Sequence, residues 1–322
     1  MNALTIARRA VLSVAISIAS LTVVAGTLHV HTSAAEGFNT HSVWYDDGQE
    51  VTVVDAQFTP AFANTLLATI KRQTASPVTR VIVTHPSPDK FNGLSAFHTI
   101  GAQSIASVAT AAAIPGVDAY KRYYWTEIAK IFTAENYPKI EPIKTTFTDH
   151  ITIELKSGET ISLFALNEPS VASDQTVVRF DQSGDLAVGD LVHINHHAWL
   201  EGGIVNGHAR ATLDSWKRDL AQLPTISAVD SAKVYGGRGE FVTVKEAVRQ
   251  QTAYLARADQ IVGDYLKGLG PKVAELNDPA THGNHYAALQ AKFVTAYPDY
   301  AFPDFIKYSI YGLIAAKLPA TY

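Results

Sequence analysis

The sequence predicts an α/β protein made of two halves in which strands and helices alternate, followed by a helical C-terminal segment. Three observations carry this. β-branched runs and stretches of helical spacing alternate between residues 51 and 107, short paired β runs fill residues 151–188, and helical periodicity dominates beyond Val244. With 322 residues, 47% hydrophobic and 17% charged, the chain is long and apolar enough to bury a large core.

In order, residues 1–35 read as an address. Arg8-Arg9 precede an apolar run over residues 10–28 that ends near Thr32-Ser33-Ala34-Ala35, as in a cleaved export signal. The run exceeds the roughly 7–15 residues usual for a signal core, so an uncleaved anchor is the alternative. Either way the body, taken as residues 36–243 with an extension over 244–322, is expected in the periplasm or outside the cell, with no stable membrane insertion once the signal is cleaved. Residues 51–55 read as a strand, 60–72 as a helix and 80–84 as a strand, which together imply a right-handed parallel crossover that delivers the loop at His85 to a sheet edge. A helix over 94–100, a strand over 103–107 and an aromatic helix over 109–137 follow, the last a candidate pocket wall through Tyr120 and Trp125. Residues 151–155 and 159–166 form a hairpin about Ser157-Gly158, and 176–180 pairs with 186–188. A helix over 213–223 and a strand over 232–235 complete the second half. The tail is helical, broken at 268–271 and 277–283, and reads as a packed cap.

Composition narrows the chemistry. A net charge of −4 and the lack of a basic stripe argue against nucleic acid as a partner, and a small-molecule substrate or ligand is expected instead. Without cysteine there is no disulfide, no thiolate ligand and no thiol nucleophile.

After the strand at residues 80–84 comes Thr84-His85-Pro86-Ser87-Pro88-Asp89-Lys90-Phe91-Asn92-Gly93. This segment resembles the T-H-x-H-x-D-H signature of the metallo-β-lactamase superfamily, and later landmarks fall in the family's order. Asp55 ends an early strand, Gly189-Asp190 resembles the G-D whose aspartate bridges two metals, and Tyr235-Gly236-Gly237-Arg238-Gly239 resembles the closing P-G-H-G. The resemblance implies an αβ/βα sandwich with a pocket at one sheet edge. It also implies a hydrolase of an ester, lactone, amide or phosphate ester, in which a cluster of imidazoles and carboxylates holds divalent zinc.

This chain departs from that pattern at several ligand positions. His85, Asp89 and Asp190 remain, whereas Ser87, Lys90 and Arg238 stand where histidines are usual, and Asn167-Glu168 lies where another is. An ammonium is repelled by a nearby dication and ligates only after losing its proton. Two expectations follow. In one, at most a single divalent metal such as zinc sits on His85, Asp89, Asp190 and His197, with His85, Asp89 and Asp190 catalytic. In the other, the protein is a metal-free ligand- or protein-binding member in which Lys90 and Arg238, with Ser87, form an anion-binding pocket. Among His193, His196 and His197, only His197 is supported by the resemblance. Ser87 as a nucleophile lacks a G-x-S-x-G elbow.

Overall fold

The alternation in the first half folds into one sheet. In the computed structural model, which describes residues 25–166 and 168–318, six strands lie side by side in chain order: Thr27–Thr32 (β1), His41–Asp46 (β2), Val51–Val54 (β3), Val78–Ile82 (β4), Gln103–Ser107 (β5) and Thr145–Phe147 (β6). β1, β2 and β3 pair antiparallel, while β3 to β6 run parallel. Parallel neighbours need long crossovers, and helices supply them here. Pro60–Gln73 (α1) links β3 to β4, and Pro88–Phe91 (α2) with Leu94–Thr99 (α3) links β4 to β5. Val108–Tyr123 (α4), continued by a π-helical turn over Tyr124–Ile128, leads toward β6. α1 begins at Thr59, whose side chain accepts from the Phe62 N–H, with Pro60 in the first turn, and it buries Ala63, Leu66 and Ile70 along one face.

The second sheet has the order β14-β13-β10-β9-β8-β7. Its strands are His150–Glu154 (β7), Thr160–Leu166 (β8), Gln175–Phe180 (β9), Asp185–Ile194 (β10), Lys233–Gly239 (β13) and Val242–Thr243 (β14). A small hairpin, Gly203–Val205 (β11) and His208–Arg210 (β12), and the helix Leu213–Ser227 (α5) connect β10 to its parallel neighbour β13. Val43, Val54, Ile82 and Phe147 of the first sheet meet Leu163, Val178 and Phe180 of the second in a shared core. α1, α3 and α4 cover the outer face of the first sheet. α5, together with Val244–Leu269 (α6), His282–Ala296 (α7) and Asp304–Lys317 (α8), covers that of the second. The result is an αβ/βα sandwich with C-terminal helices, as expected. Each fully buried Leu, Ile, Val or Phe contributes about 1.5–3 kcal/mol over an exposed one.

Four boundaries differ from the sequence reading. Residues 27–32, assigned there to the leader, form the edge strand β1, paired with β2 from Thr27↔Asp46 to Thr32↔His41, with His29 stacked on Trp44 at 3.9 Å. Residues 1–24 of the proposed leader lie outside the described residues, as does Asn167. The helix expected over 109–137 ends at Ile128, and Lys130 turns left-handed (φ 54°) just beyond it. β10 continues to Ile194 and β13 to Gly239, so Asp190 and Arg238 sit within strands.

The C-terminal helices are knitted into the core by backbone. Leu200 N–H donates to Ser309 Oγ at 2.9 Å, Ala211 N–H to Gly312 O at 3.2 Å and His197 N–H to Ala301 O at 3.0 Å. At Gly312 a Cβ would lie 1.8 Å from the carbonyl oxygen of Glu201, so α8 reaches this loop only through a glycine.

Candidate ligand cleft and its ionic centre

The sheet edges bring together the residues that the motif separates in sequence. Asp55 follows β3 with φ 69° and accepts from Thr84 N–H and Thr84 Oγ1, both at 2.9 Å, which fixes the loop after β4. That loop carries His85 and Ser87, and α2 then presents Asp89 and Lys90. Asp190 comes from β10 and Arg238 from β13. Gly237 allows this approach, since a Cβ there would fall 1.9 Å from Asp190 Oδ1.

Lys90 Nζ lies 2.8 Å from Asp89 Oδ2 and 2.8 Å from Asp190 Oδ1, with Asp55 Oδ2 at 3.9 Å. Arg238 Nη1 donates to both oxygens of Asp190 at 2.7 Å, and Nη2 donates to Asp89 Oδ2 at 2.8 Å and Thr40 Oγ1 at 2.9 Å. Its Nε donates to Phe38 O at 2.8 Å, and the guanidinium lies 5.0 Å from the Phe305 ring centroid. Thr40 Oγ1 and Ser87 Oγ also donate to Asp89, at 3.2 and 2.7 Å. Lys90 has no exposed surface and the other three charged groups are buried.

Burial alone would push Asp89 and Asp190 up, but Lys90 and Arg238 more than offset it and hold both below the usual carboxylate range. Burial works against Lys90 and Arg238 too, and the two aspartates outweigh it and raise them. All four groups are therefore ionised near neutrality and their charges cancel. Asp55 is pushed up to about 7 by burial, with Lys90 opposing. His85 is pushed down to about 4 by burial, so its imidazole, 3.9 Å from Asp190 Oδ2, is neutral.

The donor set does not fit a metal of the kind the family resemblance implies. A cation shared by Asp89 and Asp190 would need the position that Lys90 Nζ holds, and Arg238 bonds both oxygens of Asp190 and Oδ2 of Asp89. Among the described residues no three His, Asp or Glu side chains form a group able to hold a metal ion.

His197, the fourth ligand expected, does not join the centre. Its Nδ1 lies 3.0 Å from the Tyr254 hydroxyl, and its ring packs among Tyr254, Phe293, Tyr297 and Tyr300 beneath the C-terminal helices. His193 faces Asp190 instead, with Nε2 3.9 Å from Oδ1, because register shifts between Ala187 and His193 break simple alternation along β10. Lys90 and Arg238, expected to bind an anion, are both buried, with their N–H groups directed at Asp89, Asp190, Thr40 and Phe38 O. Glu168 is half-buried and pairs with Arg218, and His208 is exposed on β12.

Ser87, Asp89, Asp190 and Arg238 do line a small cleft of about 40 Å³, walled by Phe38, Phe58, Trp125, Trp199 and Phe305. Ser87, Lys121, Asp190 and Trp199 also line an adjoining inner chamber of about 20 Å³, together with His85, Ser173 and Glu201. The sequence reading missed the pair at this junction. Lys121 of α4 donates to Glu201 Oε2, which also accepts from Trp199 Nε1 at 2.8 Å, and Lys121 Nζ lies 4.8 Å from the Trp199 ring centroid. A signal was present: Ile114, Val117, Lys121 and Trp125 recur at helical spacing and all are buried, so Lys121 is a charge set in an apolar stripe. Trp125 confirms the aromatic helix as a pocket wall, while Tyr120 bonds Tyr311 of α8 at 2.9 Å.

The family model for the metallo-β-lactamase superfamily matches residues 35–231. A solved metallo-β-lactamase from Pontibacter korlensis is 19% identical, with 75% of this chain and 97% of that chain covered and a TM-score of 0.54. One from Hirschia baltica is 16% identical, covering 71% of this chain and 93% of that one, with a TM-score of 0.52. At these identities the likeness is one of fold. No curated protein matches the sequence closely enough to count as a relative.

Proposed function

The chain belongs to the metallo-β-lactamase superfamily, whose members are generally hydrolases, and from that premise we propose that it is a metal-free member that binds a small ligand in the cleft beside its ionic centre. One observation carries the reading. Lys90 Nζ sits 2.8 Å from both Asp89 and Asp190, with Arg238 closing the same two carboxylates, so protein cations do the electrostatic work of metal ions. The test is metal loading of the purified chain with zinc or manganese, followed by elemental analysis and thermal unfolding. The expected result is less than about a tenth of a metal per chain and no rise in Tm. One bound metal per chain with a raised Tm overturns the proposal.

Hydrolysis without metal has one observation in its favour: Ser87 and the neutral His85 line the same inner chamber. Ser87 Oγ, however, donates to Asp89, whose carboxylate is held too acidic to serve as a base near neutrality. Ester turnover by the wild type that disappears in Ser87→Ala would revive that reading.

We place the protein outside the cytoplasm on its Arg8-Arg9 and following apolar run. Cleavage among residues 32–35 would remove β1, and Gly26 N–H already donates to Glu159 Oε1 at 3.1 Å, which favours a leader that ends before Gly26. Intact-mass measurement of the protein from a periplasmic fraction tests this. A mature chain that starts after Thr32 would refute it.

A further inference from the structure

We infer that the cleft takes a small uncharged amphiphile, with an apolar tail along an aromatic groove and a head that both donates and accepts hydrogen bonds at Lys121 and Glu201. This deepens the ligand-binding reading above and rests on it.

The tail site adjoins the cleft. Phe38, Phe58 and Trp125 line both the cleft and an open groove of about 660 Å³ that also takes in Phe62, Phe132 and Tyr308. Ile128 and Ile131, which line it, are 59% and 52% exposed, so apolar surface reaches solvent at this groove. Contiguous exposed apolar surface of this kind marks binding grooves.

The head site follows from which polar atoms are answered. In the ionic centre two cations meet two carboxylates, and its donors and acceptors are turned on one another. At the junction with the inner chamber, Glu201 is 2% exposed, yet its Oε1 has no partner among the described residues. Lys121 beside it has three N–H groups, and among the described residues its hydrogen bond goes to Glu201. A buried acceptor next to a donor with capacity to spare complements a primary amide or a hydroxyl. An ionised head is disfavoured, because Lys121 and Glu201 neutralise each other just as the four groups beyond Ser87 do, and a desolvated ion would find no unpaired opposite charge.

Trp125 and Trp199 line the cleft, so tryptophan emission of the full-length protein reports occupancy. Four probes, each kept below its critical micelle concentration, separate the requirements: decanamide, decanoate, decyltrimethylammonium and butanamide. Decanamide is expected to bind at least about tenfold more tightly than the other three. Glu201→Gln leaves Lys121 unpaired and should make decanoate the preferred ligand, whereas Lys121→Gln should favour decyltrimethylammonium. Should either variant fail to fold, the wild-type ranking still decides. Equal binding of all four probes, a wild-type preference for either ion, or an unchanged ranking in both folded variants overturns the inference. Those outcomes leave the metal-free proposal standing, and stoichiometric zinc would remove that proposal instead.

Discussion

The ionic centre and the chamber beyond Ser87 both bury opposite charges, and they treat them differently. In the first, Lys90, Arg238, Asp89 and Asp190 come from three separate elements and answer one another through direct bonds, with Thr40 and Phe38 O taking what is left over. In the second, Lys121 and Glu201 meet as a single pair, Trp199 supplies one further donor, and a carboxylate oxygen remains open. A centre that satisfies itself holds sheets and loops together and has nothing to offer a ligand. A pair that does not satisfy itself is where a ligand gains specificity.

Four perturbations would break or sharpen this contrast. Lys90→Ala should cost the most, about 3–5 kcal/mol in urea unfolding, because two buried carboxylates would be left to a single arginine. A loss under ~1 kcal/mol would show that the centre is not structural. Next is pH. His85 is neutral when folded, at about 4, whereas an unfolded histidine titrates near 6.5, so the unfolded chain binds the extra proton and stability falls as pH drops from 6.5 toward 4. Asp55, at about 7 when folded against 3.8 unfolded, acts the other way, and its contribution is lost as pH rises through that window. His85→Asn should therefore flatten the acid side of the stability profile by up to about 3 kcal/mol, and an unaltered slope would exclude His85 as the titrating group. Thr40→Val removes a hydroxyl shared by Arg238 and Asp89 and should cost about 1–3 kcal/mol by the same assay. Smallest is the double replacement Lys121→Met with Glu201→Leu, expected within about 1 kcal/mol of wild type since an isolated buried pair exchanged for apolar side chains is often neutral. A large loss there would mean that both regions are structural.

The sandwich was legible because β3, α1, β4 and β5 carry strong, distinct periodicities over enough residues to register. β1 was not, since Leu28 and Val30 adjoin the apolar run of the leader and read as its end. β6, β11, β12 and β14 are two or three residues long, too short for alternation to appear. At the site, motif order brought out Asp89, Lys90, Asp190 and Arg238, and the two cations at ligand positions opened the metal-free alternative. The choice of His197 over His193 depended on a register shift that no local pattern encodes. Lys121 and Glu201, 80 positions apart, meet only through the tertiary fold.

The close pass at Gly312 bears on how this chain can change. A side chain at that position would push α8 away from the Glu201 backbone, and Phe305 and Tyr308 on the same helix wall the cleft and its groove. The family match stops at residue 231, well short of this helix. The matched part and the helices beyond it are thus interlocked at one missing methyl group. A graft of this C-terminal segment onto another member of the family would carry the pocket wall with it only if the recipient loop lay equally close.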